Sequence, residues 1–225
     1  NFTKQASTSA TLSGGVNTGL TFQSGAVFFG NLTTTSGNLT LSGGTFHGNV
    51  VMNKTGATAN NSGGGNIFNG DVTINASGAM ALAVSSADDF NGNATFRRLG
   101  AGALVVNNTF NTTFSRNVST AGSTGSVQFG ASAGRTIFDG TSPQTFSSDA
   151  AFPPQVRNLT LAMTGAGELQ LLGSVNVTLD MAFTSGVIKP MAATSTSNGL
   201  LILANGITFS DPAVRARMAG ALLLQ

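Results

Sequence analysis

The pattern Phe-x-Gly-Asn/Asp-apolar recurs along this chain, and it constrains the fold more than any other feature. It reads Phe28-Phe29-Gly30-Asn31-Leu32, Phe46-His47-Gly48-Asn49-Val50, Phe68-Asn69-Gly70-Asp71-Val72 and Phe90-Asn91-Gly92-Asn93-Ala94. A degenerate copy follows at Phe114-Ser115-Arg116-Asn117-Val118, and a last echo at Phe138-Asp139-Gly140. The Phe residues recur at spacings of 18, 22, 22, 24 and 24 residues. Each copy runs into a short alternating stretch such as Val72-Thr73-Ile74, then a Gly/Ser turn, then a second run. The second runs are Leu39-Thr40-Leu41, Leu82-Ala83-Val84, Leu104-Val105-Val106 and Val127-Gln128-Phe129. Alternation at period two, bounded by Gly, Asn and Ser, reads as strand.

A unit of about 22 residues in a constant order is one coil of a parallel β-solenoid. A single coil cannot bury its apolar side, but stacked coils can, at about 4.8 Å per layer. Phe28, Phe46, Phe68, Phe90, Phe114 and Phe138 then form an internal aromatic ladder. Asn31, Asn49, Asp71, Asn93 and Asn117 form a second ladder, expected to join through stacked amides as in other in-register β stacks. The Gly between them suits a corner with positive φ or close backbone approach. Asn69-Gly70 and Asn91-Gly92 are also hairpin signals, so an antiparallel sandwich is the competing fold. Sandwich strands seldom keep one ladder across five or six units, which favours the all-β parallel solenoid.

The rhythm changes after Phe138, dividing the chain into regular coils over 1–137 and irregular β coils over 138–225, a possible cap or docking region. Pro153-Pro154 interrupts any strand there. Short strands are expected at Leu159-Thr160-Leu161, Leu169-Gln170-Leu171, Val175 to Leu179, Met181-Ala182-Phe183, Leu200 to Leu203 and Ile207-Thr208-Phe209. Pro212 to Leu224 is the one helix-compatible stretch.

Several segments of this half carry a resemblance. They are Gln144-Thr145-Phe146, Val156-Arg157-Asn158-Leu159-Thr160-Leu161, Leu179 through Ile188, and Leu201-Ile202-Leu203-Ala204-Asn205-Gly206. Together with the upstream Phe-Asn-Gly-Asp-Val-Thr-Ile unit, they resemble repeat-rich secreted surface proteins of Bacteroidota, adhesin-like and exported by the type IX route. The resemblance spans residues 28 to 210 and implies an extracellular or cell-surface location.

Only 8% of residues are charged, against about 25% in an ordinary soluble domain. Ten basic residues are scattered, the closest groupings being Arg97-Arg98 and Arg215/Arg217, so the clustered cations that nucleic acid requires are missing. No apolar run reaches the roughly 18 residues of a membrane-spanning helix. The polar opening Asn1-Phe2-Thr3-Lys4 reads as a mature protein or a fragment rather than a signal peptide. With no Cys and one His, neither a disulfide framework nor a multi-histidine metal centre is available.

Asp88-Asp89 is the only adjacent acidic pair, placed at a turn before Phe90 and read as turn-capping. The remaining acids, Asp71, Asp139, Asp149, Glu168, Asp180 and Asp211, form no recognisable pair for general acid-base work. His47 occupies a variable surface position of the repeat, and Gly63-Gly64-Gly65 is a loop without the Lys or helix of a phosphate cradle. Thr33-Thr34-Thr35 raises ice binding, but the Thr columns are not expected to keep phase between copies. The sequence therefore assigns no catalytic residue, cofactor or metal ligand. It points to a non-enzymatic extracellular structural protein: a rigid stalk, adhesin segment or self-assembling filament subunit. The uncharged segments Thr11 to Gly15 and Ala221 to Gln225 favour self-association, and surface glycans are the other expected partner. The rival class is a carbohydrate-binding or polysaccharide-degrading β-helix protein, although Trp and Tyr, the usual sugar platforms, are absent.

Overall fold

A computed structural model describes residues 3–4, 9–15, 18–165, 167–190, 200–203, 208–209 and 223–224. Every strand pairing in it is parallel, and the described residues include no helix. The chain winds through about 8 turns of a β-solenoid. Each regular coil passes three sheet faces in fixed order. The first face holds Val27–Phe28, Thr45–Phe46, Ile67–Phe68, Asp88–Phe90, Thr112–Phe114 and Thr136–Phe138. The second runs from Ala10–Ser13 through Leu32–Ser36, Val50–Lys54, Val72–Ala76 and Ala94–Arg98 to Val187–Pro190. The third includes Asn38–Leu41, Asn60–Asn61, Met80–Ala81, Leu104–Val105 and Gln128–Phe129.

Period-two alternation turns directly into inside and outside. In Val72–Ala76, Val72, Ile74 and Ala76 are buried while Thr73 and Asn75 face outward. Equivalent residues of successive coils lie side by side, for example Val50, Val72 and Ala94. The Asn69-Gly70 and Asn91-Gly92 corners join two faces of one coil and form no antiparallel hairpin.

The ladder Phe residues form one column inside the first face. Phe46–Phe68 and Phe68–Phe90 centroids are 5.0 and 4.8 Å apart, with ring planes within 8°. Phe28–Phe46 adds 5.4 Å at 8°, and Phe90–Phe114 adds 5.1 Å at 16°. The Phe114–Phe138 pair opens to 5.6 Å and 32°. Parallelism therefore decays where the coil lengthens from 22 to 24 residues. A second set of rings, absent from the repeat pattern, packs edge-on from the other two faces. Phe96 meets Phe90 at 5.4 Å and 83°, Phe22 meets Phe28 at 5.3 Å and 76°, and Phe129 meets Phe146 at 5.3 Å and 70°. Such pairs contribute about 0.5–1.5 kcal/mol each beyond burial.

Gly48, Gly70 and Gly92 sit where consecutive corners nearly touch. A Cβ on them would lie 2.5, 2.4 and 2.2 Å from the carbonyl oxygen of the Gly one coil below. Close approach, not positive φ, is what excludes a side chain there.

Beyond Phe138 the pairing continues, but the corner between the third and first faces disappears. Gln155–Ala162 pairs with Gln128–Phe129 at one end and Thr136–Phe138 at the other. Ser174–Ser185 lies on it as a single 12-residue strand, replacing the two short strands expected from Val175 to Phe183. Leu161 and Phe183 take the next two places of the Phe column. Most of the helix-compatible stretch lies outside the described residues, and Leu223–Leu224 within it is a strand paired with Ile202-Leu203. Upstream, Leu82-Ala83-Val84 is no strand: Met80–Ala81 ends before it, and Ala83 turns at φ 50°.

Candidate functional site

Three adjacent columns run along the corner between the first and second faces. The outermost follows the Phe ladder by one residue: Phe29, His47, Asn69, Asn91, Ser115 and Asp139. Phe29 and His47 stack at 4.7 Å and 6°. Asn69 Nδ2 lies 3.1 Å from His47 Nδ1, which accepts and so leaves the ring proton on Nε2. Asn91 Nδ2 donates to Asn69 Oδ1 at 3.1 Å, and Ser115 Oγ donates to Asp139 Oδ1 at 2.9 Å. This chain of contacts is an amide ladder that the repeat pattern did not single out, because its residue type changes from copy to copy.

The middle column is Gly30, Gly48, Gly70 and Gly92, then Arg116, then Gly140. The third is Asn31, Asn49, Asp71, Asn93 and Asn117, all exposed. Its bonding differs from amide-on-amide stacking. In four of the five a side-chain oxygen accepts a backbone N–H of the next coil: Asn31 from Asn49 (2.9 Å), Asn49 from Asp71 (3.0 Å) and Asp71 from Asn93 (2.8 Å). Asn117 accepts from Thr145 at 2.8 Å. The side chain supplies an acceptor where the corner has turned the backbone away from its ladder. Only Asn93 adds a side-chain link, Nδ2 to Asp71 Oδ1 at 3.0 Å.

Between the outer and third columns lies a groove of about 470 Å³, floored by Gly92, walled by Asn69 and Asn91 against Asp71 and Asn93, and ended by Arg116, Asn117 and Pro143. Outward residues of the second face continue the polar surface. Thr11, Thr33, Val51, Thr73, Thr95, Ser119 and Ser147 stand in one column, so the Thr residues do keep phase, with Val51 interrupting. The neighbouring column, Ser13, Thr35, Asn53, Asn75 and Arg97, is mixed in chemistry. The face is a varied hydroxyl and amide surface, not a uniform lattice.

No family model matches the chain, and no curated protein or solved structure matches it either.

Among the described residues, the Asp88-Asp89 pair does not converge on one point. Asp88 opens a strand rather than capping a turn, and its side chain points into the solenoid while Asp89 points outward. Asp88 Oδ1 accepts from Asn66 N (2.9 Å) and Nδ2 (2.8 Å), and Asn66 Oδ1 in turn accepts from Gly43 and Gly44 N–H. Asp88 Oδ2 has no hydrogen bond of good geometry. Burial pushes the Asp88 carboxyl up to about 6, against the pull of Asn66 and a weaker one from the Ala83 backbone. Burial also raises Asp89, opposed by Asn91 and aided by Asp139. Lys54 is likewise interior, donating to Gly56 O at 2.6 Å, and burial lowers its pKa. Elsewhere Arg135 pairs with Asp180 at 2.5 Å, and Asp149 accepts from Gly122 N–H at 2.6 Å. Asp211 lies outside the described residues. Among the described residues, no group of three or more His, Asp or Glu is placed to hold a metal ion.

Proposed function

We propose that this chain is a non-enzymatic structural protein, a rigid segment of an extracellular or cell-surface stalk or adhesin. The observation that carries the reading is the unbroken column from Phe28 to Phe138, reinforced by amide and hydroxyl columns outside it. In-register layers joined by backbone hydrogen bonds, stacked rings and side-chain acceptors resist bending, because every contact repeats at each layer. The low charge and the resemblance to repeat-rich secreted surface proteins of Bacteroidota support the location. Dispersal of the carboxylates supports a role without bond-breaking chemistry.

Electron microscopy of the purified chain tests the reading. About 8 turns at about 4.8 Å give a stiff rod of about 40 Å, and self-association would appear as longer fibres of the same width. Compact round particles would contradict it. So would depolymerisation of a polysaccharide panel that is lost in Asp89→Asn.

A further inference from the structure

We infer that the corner groove docks an extended, neutral oligosaccharide lying along the solenoid axis, a property beyond the stalk role and independent of it. Its walls repeat with the coil, at about 4.8 Å, a step close to the length of one pyranose unit. An Asn side chain carries two N–H donors and an oxygen with two lone pairs. Asn69 commits one N–H to His47 in the coil below, which leaves one donor for a ligand, while Asn91 spends its two on Asn69 Oδ1 and Asp89 Oδ2 and presents its own Oδ1. On the facing wall, Asp71 Oδ1 takes both Asn93 bonds. Its Oδ2 makes no hydrogen bond among the described residues. Asn117 uses its oxygen on Thr145 and keeps its Nδ2 protons. The groove therefore offers unspent donors and acceptors side by side, the complement of sugar hydroxyls, which both donate and accept.

The groove's charge selects the ligand class. Among the described residues that line the groove, Asp71 and Arg116 are the acidic and basic side chains, one of each sign. A polyanion would meet the Asp71 carboxylate with a single cation to offset it, too few for nucleic acid. A neutral chain meets no such repulsion. Arg116 stands where the other copies have Gly, and its guanidinium makes no hydrogen bond or ion pair among the described residues. It closes one end of the groove and is available to a terminal hydroxyl or ring oxygen.

The test is calorimetric titration of the full chain with cellohexaose, maltohexaose, laminarihexaose and mannohexaose, and with polygalacturonate as the anionic arm. At least one neutral hexasaccharide should bind. Arg116→Ala alone, and Asn69→Ala with Asn91→Ala, should each weaken it at least tenfold, while Thr40→Ala on the third face leaves it unchanged. Melting curves confirm that each variant is folded, and Arg116→Ala removes no side-chain hydrogen bond to the described residues. Absence of binding by all four neutral chains at millimolar concentration would overturn the inference. So would binding to polygalacturonate alone, or binding indifferent to Arg116→Ala.

Discussion

Gly70 and Asp88 show how strongly a single position feels the coil below it. The Gly70 Cα faces the Gly48 carbonyl so closely that a methyl would sit 2.4 Å from the oxygen. That carbonyl belongs to a backbone held by the stack, so it cannot swing aside. Gly70→Ala should cost at least about 3 kcal/mol in chemical denaturation, at or above the usual range for overpacking. Gly15 has nothing within 4 Å of an added Cβ, so Gly15→Ala should stay within about 0.5 kcal/mol of the parent. Equal effects of the two substitutions would contradict the close approach. The repeat marked Gly70 because contact between coils demands the same residue in each copy. It did not mark Asp88, whose inward direction depends on where the preceding loop ends. Ala83 in its left-handed turn sets that end, and no local propensity announces it.

The buried Asp88 gives the fold a pH dependence of definite sign. Its carboxyl titrates near 3.8 in an unfolded chain and at about 6 in the folded one. Below that window both states are protonated and the stability is fully present. As pH rises through it, the unfolded chain loses its proton first, so stability falls, by about 3 kcal/mol in total at 1.36 kcal/mol per unit. Above it the contribution is flat. Asp89, raised in the same direction, adds to the fall. Urea midpoints measured across the window should decline with rising pH, and Asp88→Asn should remove most of the decline. A midpoint that rises through the window would contradict the interior placement.

At the scale of strands, the sheets were legible wherever apolar and polar residues alternate. Val72–Ala76 and Asn38–Leu41 are examples. Less legible was how one coil hands its hydrogen bonds to the next when the strands differ in length. Asn38–Leu41 pairs with Gly19–Phe22 below it but has no strand ladder above. Side chains take over: Ser62 Oγ accepts Leu41 N–H at 3.0 Å and Asn60 Oδ1 accepts Leu39 N–H at 3.4 Å. Ser62→Ala leaves the buried Leu41 N–H without its acceptor, a cost of about 1–3 kcal/mol. Amide exchange at Leu41 should accelerate while Leu20 on the strand below is unaffected, and unchanged exchange at Leu41 would contradict the handover. The merging of strands beyond Phe138 was also hidden. The sequence offers Leu179-Asp180 as a break, yet Asp180 is held by Arg135 and the strand runs through.

At the scale of the molecule, the Phe spacing alone revealed a parallel stack. The polar corner was only half visible, since constant Asn residues stand out and the varied column from Phe29 to Asp139 does not. A stack of equivalent layers has a further consequence: a layer can be removed without disturbing its neighbours. Residues 49–70 make one 22-residue coil, and deleting them joins Gly48 to Asp71 in phase. Phe46 then meets Phe90, and Asp88 comes beneath the Gly43 and Gly44 N–H groups that Asn66 now serves. Small-angle X-ray scattering of the parent and this deletion measures the layered architecture directly. The maximum dimension should shorten by about 5 Å, one layer, with an unchanged cross-sectional radius. An unchanged length with an altered cross-section, or a deletion that no longer folds cooperatively, would contradict it.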